Sequence, residues 1–133
     1  MYKKSYKGFV VGLIVFLVLL LSISFIPAED EHLPMRLIML LTSWYMAALS
    51  FHVWRTEQIY WYNGTTYEEA VAAGSERRKE FAKKHLDRFA ICAAATLLYS
   101  SAAQALGWPF WIDLVLATVA LIAAAISTVK IKL

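Results

Sequence analysis

Apolar residues in this chain gather into four long blocks separated by short polar punctuation, instead of alternating with polar ones. Residues 8–26 carry no charge over 19 positions and residues 37–54 none over 18, with Tyr45 and His52 the titratable groups of the second block. Residues 89–106 add 18 uncharged positions, and residues 112–129 another 18 with Asp113 alone near the start. A hydrocarbon core about 30 Å thick needs roughly 17 to 25 apolar residues as a helix, because lipid tolerates only a backbone that satisfies its own hydrogen bonds. The pattern predicts one membrane domain over residues 1–133: an all-α, integral membrane four-helix bundle with a short helical insertion in its linker, residues 55–88.

The first block comes after a basic start, Lys3, Lys4 and Lys7, and holds Ser22-Ile23-Ser24, which imitates a signal-peptidase site. Signal cores run to about 7 to 15 apolar residues, so the longer block is expected to remain as an anchor. Lysine and arginine then set the direction of threading, since they are retained on the cytoplasmic side. Twelve of the thirteen fall on one side of the predicted topology: three before the first span, seven in the 55–88 linker and two in the tail, leaving Arg36 alone in the loop between the first two spans. This distribution predicts a multi-pass protein of the plasma (inner) membrane, with both termini and the linker cytoplasmic. The outer connections are an acidic loop, Glu29-Asp30-Glu31-His32, and the turn Gly107-Trp108-Pro109-Phe110-Trp111. Aromatic residues agree, since Trp and Tyr favour the headgroup level: Trp54, Tyr60, Trp61 and Tyr62 mark the inner interface, Trp108 and Trp111 the outer.

Composition strengthens the membrane reading. The chain has 133 residues, and 60% of them are hydrophobic, against 45–50% in ordinary soluble domains; its mean hydropathy is +0.55. The net charge of +3 is too dispersed for a nucleic-acid surface. Cys92, the one cysteine, lies in an apolar block and reads as a small buried hydrophobe.

Within the linker the signals change to turns and caps. Asn63-Gly64 is a strong turn dipeptide, and Thr66 with Glu69 forms a capping box that starts a short helix. That helix should weaken at Gly74-Ser75, where Ser75 can cap a second helix running into the third span. Arg77, Arg78, Lys83, Lys84 and Arg88 make this helix basic and suit it to contacts with a partner protein or with anionic lipid; a solvated helix that only enforces topology is the plainer alternative. Asn63-Gly64-Thr65 also matches a glycosylation acceptor, expected to be a chance match on a cytoplasmic segment.

The run Tyr62-Asn63, Thr66, Glu68-Glu69 and then Lys83-Lys84-His85-Leu86-Asp87-Arg88-Phe89 before a span resembles the linker of a family of small bacterial membrane proteins with no established activity. The likeness covers about residue 43 onward; Gly64, the extra residues between Ala70 and Glu80, and the first span depart from it. Its broader similarity to membrane-bound toxin and bacteriocin immunity proteins implies a role in protein–protein interaction.

Polar residues within the spans should face other helices or an aqueous path. Cys92, Thr96, Ser100 and Gln104 form a slowly drifting band on the third span, and Thr42, Tyr45 and His52 lie near one face of the second. The two bands are placed to meet, either as interhelical hydrogen bonds or as the lining of a path. Ala90 with Ala94, and Ala120 with Ala124, are spaced for close helix approach. Asp113 comes after Pro109 near the positive end of the fourth helix, where a carboxylate is stabilised; proton or cation handling is the alternative. No histidine pair has metal-ligand spacing, and the acidic loop reads as solvated. No catalytic constellation is present either. The sequence thus predicts no enzyme, no metal and no cofactor. It predicts a small membrane subunit or immunity-like factor that works by helix packing with another membrane protein or with itself, the alternative being a component of a small-solute or ion transporter or channel.

Overall fold

The structure, a computed structural model, describes residues 2–62 and 64–133. Asn63, on which the expected turn dipeptide and acceptor triplet depend, lies outside them. Among the described residues the chain is all-helical: α1 (Lys7–Ile23), α2 (Leu33–Thr56), a single 3-10 turn (Ile59–Trp61), α3 (Tyr67–Leu106) and α4 (Phe110–Val129). Three of these, α2, α3 and α4, are long and apolar enough to cross a membrane. α1 is shorter than its apolar block. Its 17 residues rise about 25 Å, because Ser24, Phe25 and Ile26 bond three residues back to Leu21, Ser22 and Ile23 in tight turns ahead of Pro27.

The ends of the helices obey local chemistry. α2 starts at Leu33 with Pro34 in its first turn, which takes Arg36 out of the expected loop and into the helix. α3 opens on the anticipated capping box: Thr66 Oγ1 accepts from the Glu69 amide at 3.1 Å, and Glu69 Oε2 accepts from the Thr66 amide at 2.8 Å. At Gly74 the backbone leaves the helix (φ 77°, ψ 166°), as the glycine predicts. Ser75, however, does not cap the longer part of α3 beyond that break, because its hydroxyl donates to Glu57 at 2.7 Å. α3 closes on Gly107 in the left-handed region (φ 66°), with the Trp108 amide bonded to the Ala103 carbonyl at 3.0 Å. Pro109 precedes α4 and starts it.

α2 and α3 form the main pairing, α4 packs on α3, and α1 rests on α2. Midway, Ala47, Phe89 and Ala93 pack with Met46, Leu121 and Ala124. At the end of the bundle that carries the linker, Val53, Ile59, Tyr60, Ala70, Phe81 and Ala82 make a second core. No residue of α1 is buried, and α4 exposes Val115, Leu116, Val119, Ile122 and Ile126. Surfaces this apolar suit lipid as the surrounding solvent.

Candidate functional site

At the hairpin end, the cation that departed from the charge pattern meets the acid of the fourth block. Arg36 Nε lies 3.7 Å from Asp113 Oδ2, and Ser100 donates to the same oxygen at 3.0 Å. Asp113 is 0% exposed and Arg36 7%. Both occupy the first turns of helices that begin at the same end of the bundle, so they share a depth. The Arg36 guanidinium also lies 5.8 Å from the centre of the Phe110 ring, which stacks on His32. Asp113 is therefore at the positive end of its helix as expected, but it is enclosed as a counter-ion and is not an interfacial carboxylate. The contact is loose: Arg36 Nε and Nη1 and Asp113 Oδ1 lack hydrogen-bond partners.

The linker end is organised by Glu57, which ends α2 in the left-handed region (φ 60°), unusual for a residue with a Cβ. Its carboxylate accepts from Ser75 at 2.7 Å and from Arg78 Nε at 2.9 Å, with Arg78 Nη2 at 2.8 Å and Lys79 Nζ at 3.6 Å. Arg78 Nη1 donates to the Ala70 carbonyl at 2.9 Å. Ala70 is among the last four residues before the Gly74 break, where a helix leaves carbonyls without internal donors.

Residues 2–6 lie on this platform as a bound peptide would. The Tyr60 hydroxyl accepts from the Ser5 amide at 2.7 Å and donates to the Ser5 carbonyl at 2.9 Å, while Trp61 Nε1 donates to that carbonyl at 3.0 Å. Tyr67 donates to the Tyr2 carbonyl at 2.9 Å, Tyr2 donates to the Glu57 carbonyl at 2.6 Å, and Arg78 sits 4.0 Å over the Tyr2 ring. Burial pushes the Tyr2 phenol up to about 12, outweighing the pull of Arg78, so it stays a donor at neutral pH.

Burial alone raises the Glu57 carboxyl, but hydrogen bonds from Ser75 and Arg78 and the charges of Arg78 and Lys79 take it below the ordinary carboxylate value. A carboxyl depressed by folding stabilises the fold above its unfolded pKa and loses that contribution as pH falls through the folded value. Acidification is therefore expected to weaken this junction progressively below the ordinary glutamate range. Falling protection factors at residues 2–6, with the intrinsic slowing of exchange in acid divided out, would report it; protection factors that stay constant down to pH 3 would contradict it.

Beside this platform, a cavity of about 1000 Å³ opens between α2, the linker, α3 and the end of α4. Met46, Leu49, Phe89, Ala125 and Val129 form its apolar side, Ser50, Tyr62 and His85 its polar side, and Arg77 and Lys132 its rim. His85 Nδ1 faces the Phe81 carbonyl at 3.0 Å, which places the proton there in the neutral ring and leaves Nε2 as the acceptor. Burial pushes the Tyr62 phenol up to about 12, slightly countered by Ser50, yet neither hydroxyl has a well-formed hydrogen bond.

Other sites expected from the sequence are distributed unevenly. The bands on α2 and α3 do not meet. Tyr45 stacks on Phe16 of α1 at 4.3 Å and exposed His52 stacks on Trp61 at 5.4 Å, so this face of α2 turns to α1. Thr42 and Thr96 bond the carbonyls of Ile38 and Cys92 in their own helices. Cys92, Thr96 and Ser100 are buried but Gln104 is exposed. The face of α2 that enters the bundle carries Arg36, Ser43, Ala47 and Ser50 instead. In the basic linker, Arg78 turns inward; Lys83 pairs with Asp87 at 2.9 Å and Lys84 with Glu80 at 2.8 Å. Arg77 and Arg88 are exposed and make no ion pair among the described residues. Tyr60 is buried and Trp61 and Tyr62 are half-buried, so these three serve the platform more than the interface; Trp54 packs against the same core, while Trp108 and Trp111 stay exposed at the hairpin end. Among the described residues no cluster of His, Cys, Asp or Glu could hold a metal ion. Comparison with family models, curated proteins and solved structures returns no match.

Proposed function

We propose that the protein is a small membrane subunit that acts by packing one face of α3 against another membrane protein or a second copy of itself. The observation that carries this reading is the orientation of the small residues. Ala124 packs inside the bundle, whereas Ala90, Ala94, Ser101 and Ala105 share one exposed face of α3 with Gln104 close by. Small side chains let backbones approach closely, and a polar residue on a lipid-facing surface gains from a partner helix. In this arrangement the linker and both termini are cytoplasmic, as the distribution of Lys and Arg supports. The resemblance to immunity proteins adds a membrane-active toxin to the partners worth testing.

Because Ala94 faces outward, Ala94→Leu leaves the bundle unstrained and reports on association alone. It is expected to lower energy transfer between labelled copies in liposomes, or recovery of the native partner in mild detergent, by about tenfold at unchanged thermal stability, equivalent to about 1.4 kcal/mol. Gln104→Leu should have a smaller effect, since such hydrogen bonds contribute about 0.6 kcal/mol. Unchanged association of Ala94→Leu would overturn the reading. The buried Arg36–Asp113 pair favours a second one, a transporter or channel component; ion flux altered by Ser100→Ala with association intact would select it.

A further inference from the structure

We propose that the linker-end cavity binds one anionic phospholipid. This ligand site is separate from the α3 face and does not depend on it. Three features of the cavity succeed one another in the order in which a phospholipid changes along its length. Met46 and Leu49 of α2, with Val129 of α4, offer an apolar wall to an acyl chain. Next come the hydroxyls of Ser50 and Tyr62, both enclosed and facing one another without a well-formed hydrogen bond, with Ser50 only 1% exposed. A hydroxyl enclosed without a partner is costly, and each can donate to an ester carbonyl, an acceptor at that depth in a lipid. At the rim stand Arg77 and Lys132, cations with no carboxylate partner among the described residues, at the level of the phosphate.

The pattern of ion pairs separates these two cations from their neighbours. Lys83 and Lys84 are equally exposed but already paired with Asp87 and Glu80. Glu69 also lines the cavity, yet its carboxylate is engaged by the Thr66 amide in the capping box. The cavity thus offers positive charge at its mouth, hydrogen-bond donors below it and hydrocarbon beyond. An anionic diacyl lipid matches all three, whereas a zwitterionic lipid carries a quaternary ammonium toward the same cations and a soluble phosphate leaves the apolar wall uncovered.

The intact chain, reconstituted in phosphatidylcholine vesicles with or without phosphatidylglycerol and extracted in mild detergent, can be weighed by native mass spectrometry for retained lipid. One phosphatidylglycerol per chain is expected, in preference to phosphatidylcholine. Arg77→Gln with Lys132→Gln should reduce its retention about twenty-five-fold, from about fivefold for each cation. Lys83→Gln with Lys84→Gln should leave it unchanged. Ser50→Leu, which fills the cavity without altering charge, should abolish retention in protein that still unfolds at the parental temperature; if that variant does not fold, the two charge pairs decide. Equal retention of the two lipids, equal losses in both charge pairs, or undiminished retention in folded Ser50→Leu would each overturn the proposal.

Discussion

Asp113→Leu is expected to be the most damaging single substitution in the chain, lowering stability by about 3 to 5 kcal/mol in unfolding titrations in mixed detergent micelles. The carboxylate is fully enclosed, and its removal leaves the Arg36 guanidinium buried without a counter-charge. The combined replacement Asp113→Leu with Arg36→Met should behave oppositely and unfold at or near the parental stability. Removing both charges also removes both desolvation penalties, and the 3.7 Å contact with three unpartnered polar atoms recovers less of those penalties than an ideal pair would. Ser100→Ala removes one hydrogen bond to a charged acceptor and should fall between, at about 1.5 to 3 kcal/mol. A double variant as unstable as Asp113→Leu alone would mean that side-chain packing at this site, and not charge pairing, holds the ends of α2, α3 and α4 together.

The same pair shows which parts of the molecule are legible in the sequence. Block length and hydropathy are sums over many residues, so they predict the helical class and the four helices, although α1 falls short of the span expected for the first block; the Thr66–Glu69 cap and the Gly74 break arise from strictly local chemistry. Contacts between helices depend instead on the rotation of each one, which a list of polar residues does not contain. Thr42, Tyr45 and His52 stand out as the polar residues of the second block, whereas the face that enters the bundle carries Arg36, Ser43 and Ser50, spaced seven apart. That spacing is visible in the sequence, and so is the coincidence that the one displaced cation and the one acid of the fourth block both sit near the same end. Arg36 escapes notice because a cation beside an acidic loop reads as a loop residue until Pro34 is seen to start the helix earlier. The role of residues 2–6 has no comparable signal: Ser5 is held through its backbone, and backbone groups are the same in every sequence.

Arg78→Ala should release those residues from the linker platform, the second large effect expected in this chain. Among the described residues, Arg78 is the one side chain that touches all three parts of the junction: the Glu57 carboxylate at the end of α2, the Ala70 carbonyl before the break in α3, and the face of the Tyr2 ring. Its loss removes a hydrogen bond and a 2.8 Å ion-pair contact to a largely covered carboxylate, which is 17% exposed, together with the bond to the Ala70 carbonyl, and should lower stability by about 3 kcal/mol. Arg78→Lys keeps the charge but lacks the planar fork needed to serve Glu57 and Ala70 at once, so it should restore only part of the loss. Hydrogen exchange at the Ser5 amide, now held by Tyr60, is the direct measure: it should rise in Arg78→Ala, with exchange at Ala93 in mid-bundle unchanged. Glu57→Gly divides the effect further. Glycine relieves a left-handed backbone strain of about 1 kcal/mol while deleting the carboxylate. A net loss in that variant places the ion pair above the strain, as the geometry requires. A net gain would mean that the left-handed turn, and not the Arg78 contact, limits the stability of the junction.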